Sequence, residues 1–203
     1  MKIICIGLNY KKHVAEFGGE IPLNPVFFMK PDTALLRNNQ PFFYPDYTEN
    51  LHYETEIVLR IGKVGRSIPE KFAQGYISEI GLGIDFTARD LQNQCKEKGL
   101  PWEIAKSFDY SAPISPEFFP FEQFKNKYIN FHLNLNGQTV QKGNTSDLIF
   151  SFEKIIAYIS QFITLKIGDL IFTGTPEGVG TVKIGDNLKG YLEDKLMFDF
   201  DIK

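Results

Sequence analysis

Cysteine is nearly missing from this chain. Cys5 and Cys95 are the only two in 203 residues. They stand far apart and form no CxxC pair, which argues against a disulfide framework or a cysteine zinc site. Two free thiols in a reducing, cytoplasmic setting are expected instead. No apolar run reaches the roughly 20 residues that a membrane-spanning helix needs, so no membrane partner is expected. A basic excess is missing too. Lys and Arg number 22 against 25 Asp and Glu, for a net charge of −3. No Arg/Lys-rich face points to nucleic acid. There is no internal repeat, low-complexity segment or linker that would split the chain. The opening MKIICIGLNY carries one lysine and an apolar segment too short for a signal peptide, and reads as a first strand. Hydrophobic residues, by contrast, make up 43%, and phenylalanine occurs 19 times. That is enough for a globular core, with aromatic surface left over for contact between copies.

Punctuation by Gly, Pro and Asn divides the chain into short elements. Strands are expected over Ile3–Gly7, Val26–Lys30, Leu51–Ile61, Gly81–Phe86 and Asp169–Thr173. Tyr10–Phe17 reads as a brief helix stopped by Gly18 and Gly19. A short helix follows Pro69. Thr87 as N-cap, with Asp90 three residues on, predicts a helix over Thr87–Lys98 that Gly99 stops. Ile129, Phe131, Leu133 and Leu135 alternate with polar residues, and Asn136 with Gly137 marks a hairpin. Ser151–Phe162 predicts a second helix burying Ile155, Ile156, Ile159 and Phe162. A closing hairpin over Leu188–Ile202 places Leu196, Phe198, Phe200 and Ile202 on one face. Strands dominate and βαβ units are scarce. The expected class is therefore α+β, a mixed β-sheet roll with a few short helices, with residues 1–203 as one domain.

Two constellations and two weaker sites carry chemistry. In LHYETEIVLR, Glu54 and Glu56 are two apart, so on a strand they share a face. Such a pair is either a solvated face or a seat for a hard divalent cation that offsets the repulsion. Asp85, at the end of GLGID, is the best candidate for a third oxygen ligand, or else a turn residue. Oxygen-only ligands point to Mg2+ or Mn2+ rather than zinc. His52 lies on the same face by parity but is left beside the site. In NYKKHVAEFGG, His13 and Glu16 are three apart. They form a general-base dyad on a glycine-hinged lid, or an ordinary surface pair. Lys106, in IAKSFD, either balances an anionic substrate or lies on the surface. The glycines of TGTPEGVG suit backbone capture of a carboxylate, but the segment lacks a P-loop's GK[ST] ending.

In this order GLNYKKHVAE, FFMKPDTAL, LHYETEIVL, GIDFTARDLQ, KGLPWEIAKSFD, NGQTVQKGNTSDLIF and IFTGTPEGVG resemble the fumarylacetoacetate hydrolase superfamily. The similarity is greatest to its short acylpyruvate hydrolase and oxaloacetate decarboxylase branch. The resemblance implies a mixed-sheet roll, usually a homodimer. It also implies Mg2+ or Mn2+ on Glu54, Glu56 and Asp85, catalysis by His13, Glu16 and Lys106, and a substrate side of Asn9, Gln92 and Thr175. The implied activity is hydrolase or lyase cleavage of a C–C bond in a small 2-keto acid, through a pyruvate enolate. The alternative is isomerase chemistry on an unsaturated keto diacid such as 2-hydroxyhepta-2,4-diene-1,7-dioate. Where close relatives read GRNY this chain reads GLNY, so Leu8 replaces an arginine, and a dicarboxylate would need Lys11, Lys12 or Lys30 to compensate.

Overall fold

In the largest sheet, three strands with near-continuous apolar runs lie side by side and are buried on both faces, as such runs require. The computed structural model describes residues 1–16 and 18–203. The strand order in this sheet is Val26–Lys30, Ile3–Gly7, Leu170–Phe172, Thr55–Ile61, Ile77–Ile84 and Phe119–Pro120. Ile3–Gly7 runs parallel to Leu170–Phe172, and the other pairings are antiparallel. Alternation sorts the side chains between two cores. Ile4, Ile6, Ile57, Leu59 and Ile171 face the main core, while Ile3, Cys5, Val58, Leu170 and Phe172 face a smaller one. Each such side chain stabilises the fold by about 1.5–3 kcal/mol when fully buried.

A four-stranded antiparallel sheet closes the main core, in the order Gln138–Asn144, Asn130–Leu135, Asn187–Leu192 and Lys195–Asp201. Its Leu133, Leu188, Phe198 and Phe200 pack with Leu82 and Ile84 of the first sheet. Asn136 and Gly137 turn its hairpin at φ +51° and +82°, the left-handed pair that a two-residue turn demands. Among the described residues four α-helices fill the edges: α1 (Lys11–Glu16), α2 (Arg89–Lys98), α3 (Glu103–Lys106) and α4 (Phe152–Phe162). Among the described residues, no helix is long and apolar enough to cross a membrane. The α+β mixed-sheet architecture expected from the sequence is the one observed.

Several local expectations change. Phe17, the end of the helix expected over Tyr10–Phe17, lies outside the described residues. The segment after Pro69 is a 3-10 helix, Glu70–Tyr76. The strand expected over Leu51–Ile61 breaks at Glu54. Leu51–Tyr53 pairs with Thr87–Ala88 and Gly180–Thr181 in a separate small sheet, and Thr55–Ile61 enters the large one. Thr87 is not an N-cap. It sits in a strand opposite His52, and its hydroxyl donates to the Asp85 carbonyl. α2 needs no side-chain cap, because the Asn50 carbonyl takes the Arg89 N–H at 2.8 Å. Asp90 instead accepts from the Thr48 hydroxyl and the Glu49 N–H, tying the helix start to a loop. Leu196 is exposed and Met197 buried, since a bulge opposite Gly190 and Tyr191 shifts the register. Phe162 ends α4 at 58% exposure, its ring against Phe27 and Tyr158.

Candidate active site

The break at Glu54 is what builds the site. Glu56 lies opposite Gly83 on the antiparallel strands Thr55–Ile61 and Ile77–Ile84, and Asp85 follows the end of the second strand. The Asp85 N–H donates to the Glu54 carbonyl at 2.8 Å, clamping the break against that strand end. All three carboxylates are buried. One ligating oxygen from each lies within 4.8 Å of the others.

Buried carboxylates need partners, and three cations supply them. Lys106, the last residue of α3, places Nζ 2.7 Å from Glu54 Oε2 and 2.8 Å from Asp85 Oδ2. Lys30, ending Val26–Lys30, reaches Asp85 Oδ1 at 2.8 Å. Its ammonium also donates to the Ser111 hydroxyl and to the carbonyls of Lys106 and Ser111. Arg89 pairs with Glu54 Oε1 and donates to Gln92 Oε1. Glu56 accepts the Gly174 N–H at 2.6 Å, from the TGTP turn.

The electrostatics are uneven across the three carboxylates. Burial pushes the Glu54 carboxyl up, but Lys106 and Arg89 more than reverse this and hold it well below the carboxylate range. Burial, then Asp85 and Glu54, push the Glu56 carboxyl up, and the Gly174 N–H only partly opposes them. Burial works against the Lys106 ammonium, but Asp85 and Glu54 win and hold it charged. Glu56 is thus the carboxylate whose charge the protein compensates least. A buried all-oxygen donor set with one under-compensated member fits a hard divalent cation.

Beside this cluster opens a narrow pocket, lined by Glu54, Glu56, Asp85, Lys106, His13, Arg89, Gln92, Lys96 and Thr175, with Ile6, Gly7, Leu8, Phe28 and Trp102 as less polar wall. His13 comes from α1, with Nδ1 3.4 Å from Glu16 Oε2. Burial lowers its pKa against the pull of Glu54 and Glu16, which favours the neutral ring. Glu16 stands behind the ring and does not line the pocket. Thr175 is held by Gln141, whose Nε2 donates to its hydroxyl while its Oε1 accepts the Thr55 N–H.

Asn9 is not brought to the pocket wall. Its amide donates to the carbonyls of Thr173 and Phe150 and accepts the Phe150 N–H, so it braces backbone behind the site. His52 bonds Asn50 Oδ1 at 2.9 Å, and burial with Arg89 pushes its pKa to about 4. It lies outside the pocket. Leu8 lines the pocket at φ +59°, a left-handed conformation uncommon outside glycine.

Sequence reasoning missed Arg89 and Gln141, and read Lys30 only as a source of charge. The available signals were a lysine ending an apolar strand and the Arg89–Gln92 spacing on one helix face. Nothing local marks Gln141.

The family model "Fumarylacetoacetate (FAA) hydrolase C-terminal" matches residues 2–199. The oxaloacetate tautomerase FAHD1, mitochondrial, of Mus musculus is 43% identical over 202 residues, covering 99% of this chain and 91% of that protein. The mitochondrial oxaloacetate decarboxylase of Dictyostelium discoideum is 43% identical over 190 residues, covering 93% and 87%. Among solved structures, fumarylpyruvate hydrolase from Pseudomonas aeruginosa in complex with Mn2+ and pyruvate aligns with a TM-score of 0.94 at 37% identity, covering 100% of this chain and 89% of that one. With the family model spanning nearly every residue, this chain belongs to the fumarylacetoacetate hydrolase family.

Proposed function

We propose that the chain is a divalent-metal-dependent enzyme that interconverts the keto and enol forms of a small 2-keto acid of the oxaloacetate class. The observation that carries this reading is that His13 lines the same pocket as the Glu54, Glu56 and Asp85 cluster. Those three carboxylates would hold Mg2+ or Mn2+. When bound, the ion supplies Lewis acidity and positive charge beside the keto group. With Nδ1–H donated to Glu16, the lone pair of His13 sits on Nε2. That nitrogen takes a proton from the carbon next to the keto group. The electron pair moves onto the keto oxygen, and the imidazolium returns a proton there to complete the enol. Glu16 stabilises the imidazolium in between. Lys106 adds fixed positive charge where the oxygen becomes negative. Gln92 and Thr175 orient the substrate from the wall.

The likeness to fumarylpyruvate hydrolase and to the Dictyostelium decarboxylase favours a second reading, in which the same groups support C–C cleavage. In the hydrolase, His13 would deprotonate a water instead of a carbon; in decarboxylation, carbon dioxide leaves and no base is needed. Incubation of the Mg2+-loaded protein with oxaloacetate and with acetylpyruvate separates these readings. Enol–keto interconversion without pyruvate is the expected result. Pyruvate release would transfer the assignment to the lyase or hydrolase, and inertness towards both would overturn the keto-acid reading.

As part of the same proposal, residues 1–203 act as one catalytic domain, in a homodimer and in the cytoplasm. The family match over 2–199, the exposed Leu23, Tyr128 and Ile184, and the free buried thiols of Cys5 and Cys95 support it. The mouse and Dictyostelium relatives are mitochondrial by name, another setting that keeps thiols reduced.

A further inference from the structure

Enolisation assigns no task to Lys96, a cation of the pocket wall. α2 sets Arg89, Gln92 and Lys96 three and four residues apart, so they share a helix face, and all three line the pocket. Arg89 is tied to Glu54, and Gln92 accepts from Arg89. Lys96 stands about 10 Å further along the axis, at the exposed rim.

Two aromatic rings line the wall that runs from this rim ammonium to the buried one. Lys96 Nζ is 5.7 Å from the Trp102 ring centre. Trp102 meets Phe28 edge-on at 6.1 Å, and Lys106 Nζ lies 5.1 Å from the Phe28 ring. Lys106 therefore marks the inner end of the pocket and Lys96 the outer end. Burial, then Arg89, lower the Lys96 pKa, and Glu54 only partly offsets them. An anion lying between these cations relieves their repulsion.

We propose that Lys96 binds the carboxylate at the far end of the substrate and so selects 2-keto dicarboxylates over 2-keto monocarboxylates. This assignment rests on the keto-acid reading above and deepens it. Leu8, on the less polar wall, offers no charge for that carboxylate.

The test compares two inert ligands of equal chain length. Malate and 2-hydroxybutyrate differ at the far end by one carboxylate. Calorimetric titration of the Mg2+-loaded full chain should show malate favoured by about tenfold, the worth of one charge-assisted hydrogen bond. Lys96→Met should bring the two affinities to within about twofold, and Lys96→Arg should retain the preference. A preference that survives Lys96→Met, or is missing from the unmodified chain, overturns the proposal. A Lys96-dependent preference in a protein that leaves oxaloacetate untouched would sink the functional reading and keep the anion site.

Discussion

Lys30, Arg89 and Lys106 pair with Glu54 and Asp85 at the pocket, and Glu56 has the Gly174 N–H instead. Each ion taken from water carries several kcal/mol of desolvation penalty, so removing one partner costs more than the pair contributes. Lys30→Met would leave Asp85 Oδ1 and the Ser111 carbonyl without that ammonium. We expect it to lower stability by about 3 kcal/mol, read from the denaturant midpoint. An unchanged midpoint would mean that Lys106 alone neutralises Asp85. His13 is a different kind of residue: it feels Glu54 but is not among the three carboxylates that would hold the ion. His13→Ala should reduce turnover by ~10²–10⁴-fold while Mg2+ affinity by calorimetry stays the same. Full turnover in that variant would remove the dyad from the chemistry.

The elements show where local signals suffice. Asn136 and Gly137 form their turn because both left-handed positions are chemically cheap there. Ser151 caps α4, its hydroxyl accepting the Lys154 N–H at 3.2 Å. Thr87 had the same cap signal and lost it, because a strand partner and the Asn50 carbonyl satisfied the backbone first. The apolar run after Glu54 was legible as strand. The sheet change at Glu54 was not, since periodicity carries no information about which strand pairs with which. Packing between sheets sets another limit that no propensity scale contains. A Cβ on Gly190 would come within 2.3 Å of the Phe198 ring and 2.8 Å of Leu82. Gly190→Ala should therefore destabilise by about 1–3 kcal/mol through overpacking, measured as a fall in the denaturant midpoint at constant slope. A neutral result would show that the Phe198 ring swings aside.

At the scale of the molecule, metal binding and folding are linked. An ion held by the folded chain alone adds about 2.7 kcal/mol at a hundred times its Kd. For a chain of this size that corresponds to a rise in Tm of roughly 5–10 °C. Mg2+ should produce this rise, chelator should remove it, and Glu56→Gln should abolish it. An equal rise in that variant would exclude Glu56 as a ligand. Much of the site was readable beforehand as residue types: the paired glutamates, Asp85, the His13–Glu16 spacing and Lys106. The sequence by itself determined the α+β class, because short apolar runs and scarce βαβ units are local patterns, and its composition determined that a globular core could be buried. The tertiary structure decided that Lys30, Glu54, Asp85 and Lys106 touch, that Asn9 braces backbone, and that Lys96 stands at the pocket rim. Desolvation and Coulomb energy depend on distances in space, and residues tens of positions apart acquire those only when the sheets pair.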